Sequence, residues 1–344
     1  MSRFRRFLVS VSLVLGVLAL GQRAAGAVYR GVILIDAASG ETVFEENSDY
    51  VGPPASMTKI MTFLVVHDQI KAGRLTLQTP VTVTAADARI GGTQVWLKEG
   101  ETFTVEELLM AMMIQSANDA AHALARTASG SREAFVAAMN ERASQLGMTH
   151  TTWRTPHGLP PTSRQLAESD LTSPRDLALL ARELVTTTDI LRYTSIGQAA
   201  FGQQQRPQPV MMVNHNHLVR KVRGVDGLKT GYTKAAGFCL TATAERDGRR
   251  LIAVMMGSPT SKERDVRMAE LLESAFTKLG PAPARTGPLA VTPAPSAPAK
   301  VKAEPVAEPG LVITPAPLPA SSSRNAPTPA ADSDEPPTVR FQLP

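Results

Sequence analysis

Three short patterns in the chain place hydroxyl and amine side chains at spacings that suit nucleophilic catalysis. In the first, Ser56 and Lys59 lie three residues apart at the start of a stretch with a helical pattern. Residues three apart share a helix face, so the amine can reach the hydroxyl. A serine at its ordinary pKa is a weak nucleophile that needs an adjacent base, and a lysine serves as that base only when burial or another cation lowers its pKa. The pair therefore indicates a serine nucleophile with a lysine base.

Two later patterns supply the other groups that such a nucleophile needs. Ser116 and Asn118 lie at a junction between helical stretches, where a hydroxyl can relay a proton and an amide can orient a substrate amide. Lys229, Thr230 and Gly231 begin a strand, where the cation and hydroxyl can hold a carboxylate and glycine lets a ligand approach the backbone. A match to Ser-x-x-Lys or Ser-x-Asn alone is expected about once by chance in such a chain, so order and context carry the inference.

The elements that must position these groups predict an α+β domain over residues 28–280. Terminal strands surround a helical middle at about 104–185, and this arrangement is typical of a sheet flanked by helices. The predicted elements are a hairpin of Arg30–Asp36 with Glu41–Glu45, a helix from Ser56 to about Lys71, strands Leu228–Arg246 and Arg249–Gly257 joined at Asp247-Gly248, and a helix Glu263–Leu279.

Both ends of the chain differ from this domain in composition. Residues 1–27 have a basic start, an apolar run and an Ala-Gly-Ala site, which predicts a signal peptide and export. Residues 281–344 hold 16 of the 26 prolines, so a disordered tail is predicted. The leader carries four arginines and no acid, and the remainder has 32 basic against 31 acidic residues. The formal charge of +5 is therefore no sign of a nucleic-acid partner.

Several other residues favour structural roles over chemistry. The single cysteine, Cys239, excludes an internal disulfide framework. His215 and His217 lack a clustered third ligand, so neither a metal site nor any cofactor is predicted. We expect His157 to serve loop structure and Asp119 to cap the helix that follows it.

With these patterns in order, the chain resembles the low-molecular-mass penicillin-binding proteins, the serine D-alanyl-D-alanine carboxypeptidases of the peptidase S11 type. The resemblance covers nearly all of residues 28–280 and implies a fold like that of serine β-lactamases and transpeptidases, an antiparallel sheet flanked by helices with a helical subdomain. The segments that carry it are Ile33–Asp36, Pro54–Thr62, Ser116–Asp119, Pro156–Leu159 and Asp226–Thr233.

The resemblance also implies catalytic roles. Ser56 would attack the penultimate D-alanine carbonyl of a peptidoglycan stem peptide, Lys59 would take its proton, and Ser116 would pass a proton to the departing D-alanine. Water would then hydrolyse the acyl-enzyme without a metal, and β-lactam antibiotics would act as inhibitors.

Substrate-binding roles follow from the same resemblance. The expected set is Asn118, Lys229, Thr230, Gly231, Tyr232 and Arg264. Lys229 and Thr230 would hold the terminal carboxylate, and the backbone N–H groups of Ser56 and Tyr232 would form the oxyanion hole. Arg264 is the candidate for a further carboxylate contact, against the alternative of a solvated charge on the last helix.

Three other functions remain open at this point. A D,D-endopeptidase would use the same residues on cross-links, a β-lactamase would need fast deacylation, and a non-catalytic wall-binding protein would need neither serine nor lysine. The family often carries a C-terminal membrane helix, and this chain has its proline-rich segment there. We therefore expect no C-terminal membrane anchor and predict a periplasmic or wall-associated enzyme.

Overall fold

The computed structural model describes residues 29–282, and an antiparallel sheet lies at the centre of this region. In chain order the strands of the region are β1 Gly31–Asp36, β2 Thr42–Glu46, β3 Pro80–Thr82, β4 Thr102–Thr104, β5 Gln198–Phe201, β6 Val210–Val213, β7 Val225–Thr233, β8 Gly237–Arg246 and β9 Arg249–Ser258. Five of them form the central sheet in the order β2-β1-β9-β8-β7. The first and last parts of the chain thus build one sheet, with the helical middle inserted between them.

Most of the longer helices lie in the inserted middle. The α-helices are α1 Lys59–Lys71, α2 Ala85–Ala88, α3 Val105–Met110, α4 Asn118–Ser129, α5 Arg132–Gln145, α6 Pro174–Thr187, α7 Leu191–Thr194 and α8 Ser261–Leu279, with 3-10 turns at Ala55–Thr58 and Leu166–Glu168 and a π turn at Ala111–Gln115. Several helices begin at a hydroxyl side chain that accepts a hydrogen bond from a first-turn N–H, which satisfies a donor that has no partner within the helix. These caps are Thr84, Thr104, Ser131, Ser173 and Thr260.

The two faces of the sheet are covered by different helices. Successive strand residues point to opposite faces, so Val32 and Leu34 of β1 pack in the apolar cluster that includes Leu272 of α8. Ile33 and Ile35 face the larger cluster with α1 and α6. The predicted α+β class, with its antiparallel sheet flanked by helices and a helical subdomain, is therefore confirmed.

Most of the predicted elements match the structure, and one is wrong. The initial hairpin, the helix that ends at Lys71, the turn at Asp247-Gly248 and the last helix are all present. The predicted strand Leu228–Arg246 is two strands, β7 and β8, with a turn between them in which Ala236 N–H donates to Thr233 Oγ1. The segment 233–237 holds no proline, asparagine or aspartate and only Gly237 is typical of a turn, so the pattern does not reveal the reversal.

Some predictions lie outside the described residues. The signal peptide at 1–27 and the tail at 281–344 fall almost wholly there, and both stay predictions together with the boundaries of the 28–280 domain. Between residues 29 and 282, no helix is both long enough and apolar enough to cross a membrane.

Candidate active site

Ser56 lies in the 3-10 turn that leads directly into α1. Lys59 is the first residue of that helix, and its Nζ lies 3.0 Å from Ser56 Oγ. The Lys59 amine is fully buried and also donates to Asn118 Oδ1 at 2.6 Å and to the His157 carbonyl oxygen at 2.7 Å. The turn and the helix therefore hold the amine against the hydroxyl.

The partners of Lys59 determine what its amine can do when it is neutral. A carbonyl oxygen and an amide oxygen can only accept, so Asn118 and His157 engage both N–H bonds of a neutral amine. The remaining lone pair then faces the Ser56 hydroxyl, which donates to it. This is the arrangement that a general base requires.

The environment of Lys59 favours the neutral amine. Burial lowers the pKa of Lys59 well below its ordinary value, and the positive charge of Lys229 lowers it further, while Asp170 and Asp119 oppose the shift. None of the ion pairs among residues 29–282 includes Lys59 or Lys229. Both lysines are thus buried amines without a directly paired carboxylate.

Lys229 and Thr230 lie on β7, and both side chains are buried. Lys229 Nζ donates to the Thr230 carbonyl oxygen at 3.1 Å. Burial, followed by the charge of Arg264, lowers the pKa of Lys229 to about 7. An anionic ligand beside Lys229 would reverse part of this shift and favour the charged amine.

Two glycines allow the backbone to pack closely around Ser56. A Cβ on Gly231 would lie 2.3 Å from the Pro54 carbonyl oxygen and 3.2 Å from Ser56 N, so β7 runs directly against the Ser56 turn. A Cβ on Gly158 would lie 2.0 Å from the Ala55 carbonyl oxygen, and Gly158 has a φ of +83°. Only glycine permits both approaches without a shift of the backbone.

Ser116 occupies the end of the π turn with a φ of +65°, in the left-handed region. Non-glycine residues there are strained, and such strain concentrates at functional sites. The Ser116 side chain is buried. Among residues 29–282, the Lys59 amine makes hydrogen bonds to Ser56, Asn118 and His157, and none to Ser116. The free protein therefore holds Ser116 near Asn118 without a direct bond to Lys59.

Arg264 is not a solvated charge. It is 3% exposed, donates from Nε and Nη2 to Asp265 Oδ1 at 2.9 and 2.7 Å, and donates to the Cys239 carbonyl oxygen. Its charge acts on Lys229, so it belongs to the same cationic region. Tyr232, by contrast, is 57% exposed and stacks on Phe238 at 4.2 Å between ring centroids.

Three supporting groups escaped the sequence analysis. His157 contributes its backbone carbonyl, which no residue pattern predicts. The buried Asp170 carboxylate binds Thr58 Oγ1 at 3.0 Å and the backbone N–H groups of Arg154 and Thr155, which ties the Ser56 turn to a distant segment. The third is the 91–97 loop, which carries the backbone partners of Asn118.

Asp119 was assigned the wrong role. Helix α4 has no side-chain cap, and the Asp119 carboxylate instead accepts from Val95 N at 3.3 Å, Leu97 N at 3.0 Å and Ala120 N at 2.9 Å. The carboxylate turns toward the 91–97 loop because that loop presents two backbone donors with no other partner nearby. Sequence spacing cannot show such a contact.

Comparison with known proteins agrees with this geometry. A family model described as D-alanyl-D-alanine carboxypeptidase, peptidase S11, matches residues 23–260. D-alanyl-D-alanine carboxypeptidase DacF of Bacillus subtilis is 36% identical over 249 residues, 72% of this chain and 62% of the relative. DacC of Escherichia coli is 37% identical over 254 residues, 72% of this chain and 61% of the relative. The chain thus spans about three fifths of the length of these relatives.

Solved structures show the same likeness. The crystal structure of D-alanyl-D-alanine carboxypeptidase DacD from Francisella tularensis has a TM-score of 0.68 at 30% identity, over 72% of this chain and 70% of that one. Penicillin-binding protein D2 of Listeria monocytogenes in its ampicillin-bound form has a TM-score of 0.64 at 29% identity, over 72% and 97% of the two chains. The chain belongs to the D-alanyl-D-alanine carboxypeptidase family, peptidase S11.

Proposed function

We propose that the protein is a serine D-alanyl-D-alanine carboxypeptidase that removes the terminal D-alanine from peptidoglycan stem pentapeptides through an acyl-enzyme. One observation carries the proposal. The Lys59 amine lies 3.0 Å from Ser56 Oγ, and its other two partners are acceptors that leave its lone pair to the serine hydroxyl. Burial and the charge of Lys229 lower the pKa of this amine, which favours the neutral form that can take the serine proton.

The acylation step uses this pair directly. Ser56 Oγ attacks the carbonyl carbon of the penultimate D-alanine while its proton moves to Lys59. The tetrahedral intermediate then collapses, the C–N bond breaks, and the nitrogen of the leaving D-alanine receives a proton through Ser116. Water hydrolyses the ester in the second half, which releases the shortened peptide and restores the Ser56 hydroxyl.

The backbone at Gly231 supports an oxyanion hole beside Ser56. A Cβ on Gly231 would lie 3.2 Å from Ser56 N, and in the proposed mechanism the next N–H along β7, that of Tyr232, joins the N–H of Ser56 as the second donor. Two such donors stabilise the developing oxyanion, and the loss of one typically costs about a hundredfold to a thousandfold in rate.

Cations at one end of the site suit a substrate with a free carboxylate. Lys229 and Arg264 are buried there, and Thr230 adds a hydroxyl. A terminal D-alanine carboxylate would raise the pKa of Lys229 from about 7 and would be held as a charged pair. Asn118 already binds Lys59 through Oδ1 and Gly91 through one Nδ2 hydrogen, and its second Nδ2 hydrogen would orient the substrate amide.

The setting of the reaction follows from the rest of the proposal. A relative of known structure is in an ampicillin-bound form, so we expect β-lactams to acylate Ser56 and inhibit the enzyme. The predicted signal peptide would deliver the enzyme to the periplasm or cell wall, where peptidoglycan is found.

The test uses the protein without residues 1–27, alongside Ser56→Ala. Each is incubated with a pentapeptide that ends in D-Ala-D-Ala, with cross-linked muropeptide and with fluorescent penicillin. We expect free D-alanine from the pentapeptide and covalent labelling by penicillin, both lost in Ser56→Ala. Cleavage of the muropeptide in preference to the pentapeptide would make the enzyme an endopeptidase, and labelling that survives Ser56→Ala would contradict the nucleophile.

A further inference from the structure

Arg206 lies in the connection between β5 and β6, and each nitrogen of its guanidinium group donates at least one hydrogen bond. Its Nη1 donates to the Val95 carbonyl oxygen at 2.7 Å, and its Nη2 donates to the Trp96 carbonyl oxygen at 3.0 Å. Nε and Nη2 also donate to the Glu101 carboxylate at 2.8 and 2.5 Å. The side chain is only 9% exposed although the connection itself lies at the surface. So many hydrogen bonds from one loop arginine indicate that Arg206 fixes the position of the segment that contains Val95 and Trp96.

Two aromatic rings complete the site around Arg206. Its guanidinium carbon lies 5.2 Å from the ring centroids of both Phe103 and Phe201. Cations at such distances over aromatic faces are attracted by the ring electrons, and more strongly where water is excluded. The planar guanidinium is thus fixed in one orientation, with its fork toward the two carbonyl groups.

Arg206 binds the 91–97 loop. This loop in turn binds Asn118, the residue that accepts a hydrogen bond from Lys59. Asn118 Nδ2 donates to the Gly91 carbonyl oxygen at 2.9 Å, and Asn118 N donates to the Thr93 carbonyl oxygen at 2.8 Å. Two residues further, Val95 N donates to Asp119. The loop therefore contacts α4 through Asn118 and Asp119 on one side and Arg206 on the other.

We propose that Arg206 is a positioning residue, which holds the 91–97 loop so that Asn118 keeps the Lys59 amine directed at Ser56. The inference rests on the proposed function, since Lys59 must act as a base for its direction to matter. Asn118 Oδ1 occupies one N–H of Lys59 at 2.6 Å, and a small displacement of that oxygen turns the lone pair away from the serine. Misplacement of a reacting group by about 1 Å can cost about a hundredfold in rate.

Arginine and lysine differ sharply in this position. A lysine at 206 would keep its charge beside Glu101, but a single ammonium cannot reproduce the planar fork that reaches two carbonyl groups and also lies against the rings of Phe103 and Phe201. Arg206→Lys therefore separates the electrostatic contribution of the residue from its geometric one.

A matched control lies elsewhere in the chain. Arg246, at the end of β8, is 8% exposed, pairs through two bonds with Glu273, donates to the Arg223 carbonyl oxygen and lies 4.5 Å from the Phe276 ring centroid. It lies seven residues along β8 from Cys239, the partner of Gly231, a distance of about 23 Å. Arg246→Lys thus removes the same kinds of contact far from the nucleophile.

The experiment measures the acylation rate constant with fluorescent penicillin for the wild type, Arg206→Lys and Arg246→Lys, with thermal unfolding to compare stability. We expect Arg206→Lys to slow acylation by about tenfold to a hundredfold, with a smaller change in the concentration for half-maximal rate. Arg246→Lys should change the rate by less than about twofold, because its contacts are remote from the site.

Tryptophan fluorescence gives a second readout on the loop itself. Trp96, whose carbonyl Arg206 holds, is 58% exposed, whereas Trp153 is 1% exposed, so acrylamide selects the emission of Trp96. The anisotropy of the quenchable emission should fall in Arg206→Lys and not in Arg246→Lys. Should Arg206→Lys fail to fold, Glu101→Gln weakens the bonds to the same guanidinium at a side chain that is 20% exposed, and it should shift both readouts in the same direction.

The outcomes separate the two proposals. If the wild type is acylated and Arg206→Lys is acylated equally fast, only the positioning role is wrong. If Arg206→Lys and Arg246→Lys slow acylation equally, and in proportion to their loss of thermal stability, Arg206 has only a structural role. If the wild type itself is not acylated, the proposed function fails and the positioning role falls with it.

Discussion

Asp87 and Lys59 are both fully buried ionisable residues, and the fold compensates their charges in opposite ways. The Asp87 carboxylate accepts from His122 Nδ1 at 2.7 Å, from Arg126 at 2.8 Å and from the N–H and hydroxyl of Thr84. Burial acts to raise the pKa of Asp87, but the hydrogen bonds from His122 and Arg126 outweigh it and lower that pKa. This Asp87 cluster is a satisfied ionic contact that fastens α2 to α4.

Lys59 and Lys229 have no such compensation. Their partners are neutral oxygens, and burial lowers the pKa of each. A buried cation that cannot pair must lose its proton or gain an anionic ligand. The comparison teaches that a compensated buried charge fixes structure, whereas an uncompensated one provides a base and an anion site. Each of the following substitutions tests one side of that contrast.

The largest effect should come from Lys59→Met, which removes the base and leaves no carboxylate unpaired. We expect acylation by penicillin to fall by about ten-thousandfold, because general bases typically contribute up to that factor. The free energy of unfolding should change by less than about 2 kcal/mol, since only neutral acceptors lose a partner. Lys71→Met, at the exposed end of the same helix, is the control and should be acylated normally. Unfolding of Lys59→Met at ordinary temperature would contradict the contrast.

Asp87→Asn should have the reverse pattern. It leaves His122 and Arg126 without their buried partner, and breaking a buried pair typically costs about 3–5 kcal/mol. The acylation rate of the folded fraction should stay unchanged. Asp247→Asn, which breaks an exposed pair with Arg223, should cost less than about 1 kcal/mol. Chemical denaturation and penicillin labelling measure both quantities, and an acylation rate that falls with stability would couple the two regions.

Arg264→Gln tests the anion site. Hydrogen bonds to charged groups contribute about 1.5–3 kcal/mol, so KM for a D-Ala-D-Ala peptide should rise by about tenfold to a hundredfold with a smaller change in kcat. Arg267→Gln lies on the same helix with its side chain 34% exposed, and it should leave KM unchanged. Equal KM values for Arg264→Gln and Arg267→Gln would contradict a role of Arg264 in substrate binding.

A further effect is a pH dependence of stability, which is spread over several pH units. Lys229 has a pKa of about 7 in the fold and 10.5 when unfolded, so between these values the unfolded chain binds more protons. Stability should therefore rise with pH through this window by up to about 1.4 kcal/mol per unit. Below pH 7 the cost is fully present, and above pH 10.5 it is gone. Lys229→Met should lack this increment when denaturant midpoints are compared across pH, and parallel curves would contradict the shift.

For Asp87 the pH dependence of stability follows from a carboxyl group and lies in the acid range. Because the pKa of Asp87 is lowered in the fold, its cluster stabilises the protein above the ordinary pKa of 3.8 and loses that contribution as pH falls below it. Acid unfolding of Asp87→Asn should accordingly be less steep than that of the wild type, because this proton uptake is missing.

Local pattern was sufficient for much of the fold. The first hairpin, α1 and α8 follow from turn residues, spacing and caps within a few positions of each other. The pattern does not show the break between β7 and β8 because only Gly237 is typical of a turn there. It does not show the role of Asp119 because its partners lie 24 and 22 residues away. The β7–β8 hairpin is closed by the local pair Thr233 and Gly237, whereas the contact of Asp119 is long-range.

The sequence by itself determined which side chains could act, since Ser56 and Lys59 share one helical face whatever surrounds them. Only the tertiary structure decided that the Lys59 amine can serve as the base of the proposed reaction, because its partners Asn118 and His157 lie 59 and 98 residues away. The same holds for the lowered pKa of Lys59 and of Lys229, which depends first on burial and then on a neighbouring cation, Lys229 and Arg264 respectively. Spacing along a chain sets which groups can meet, but the pKa of a group depends on everything that excludes water from it.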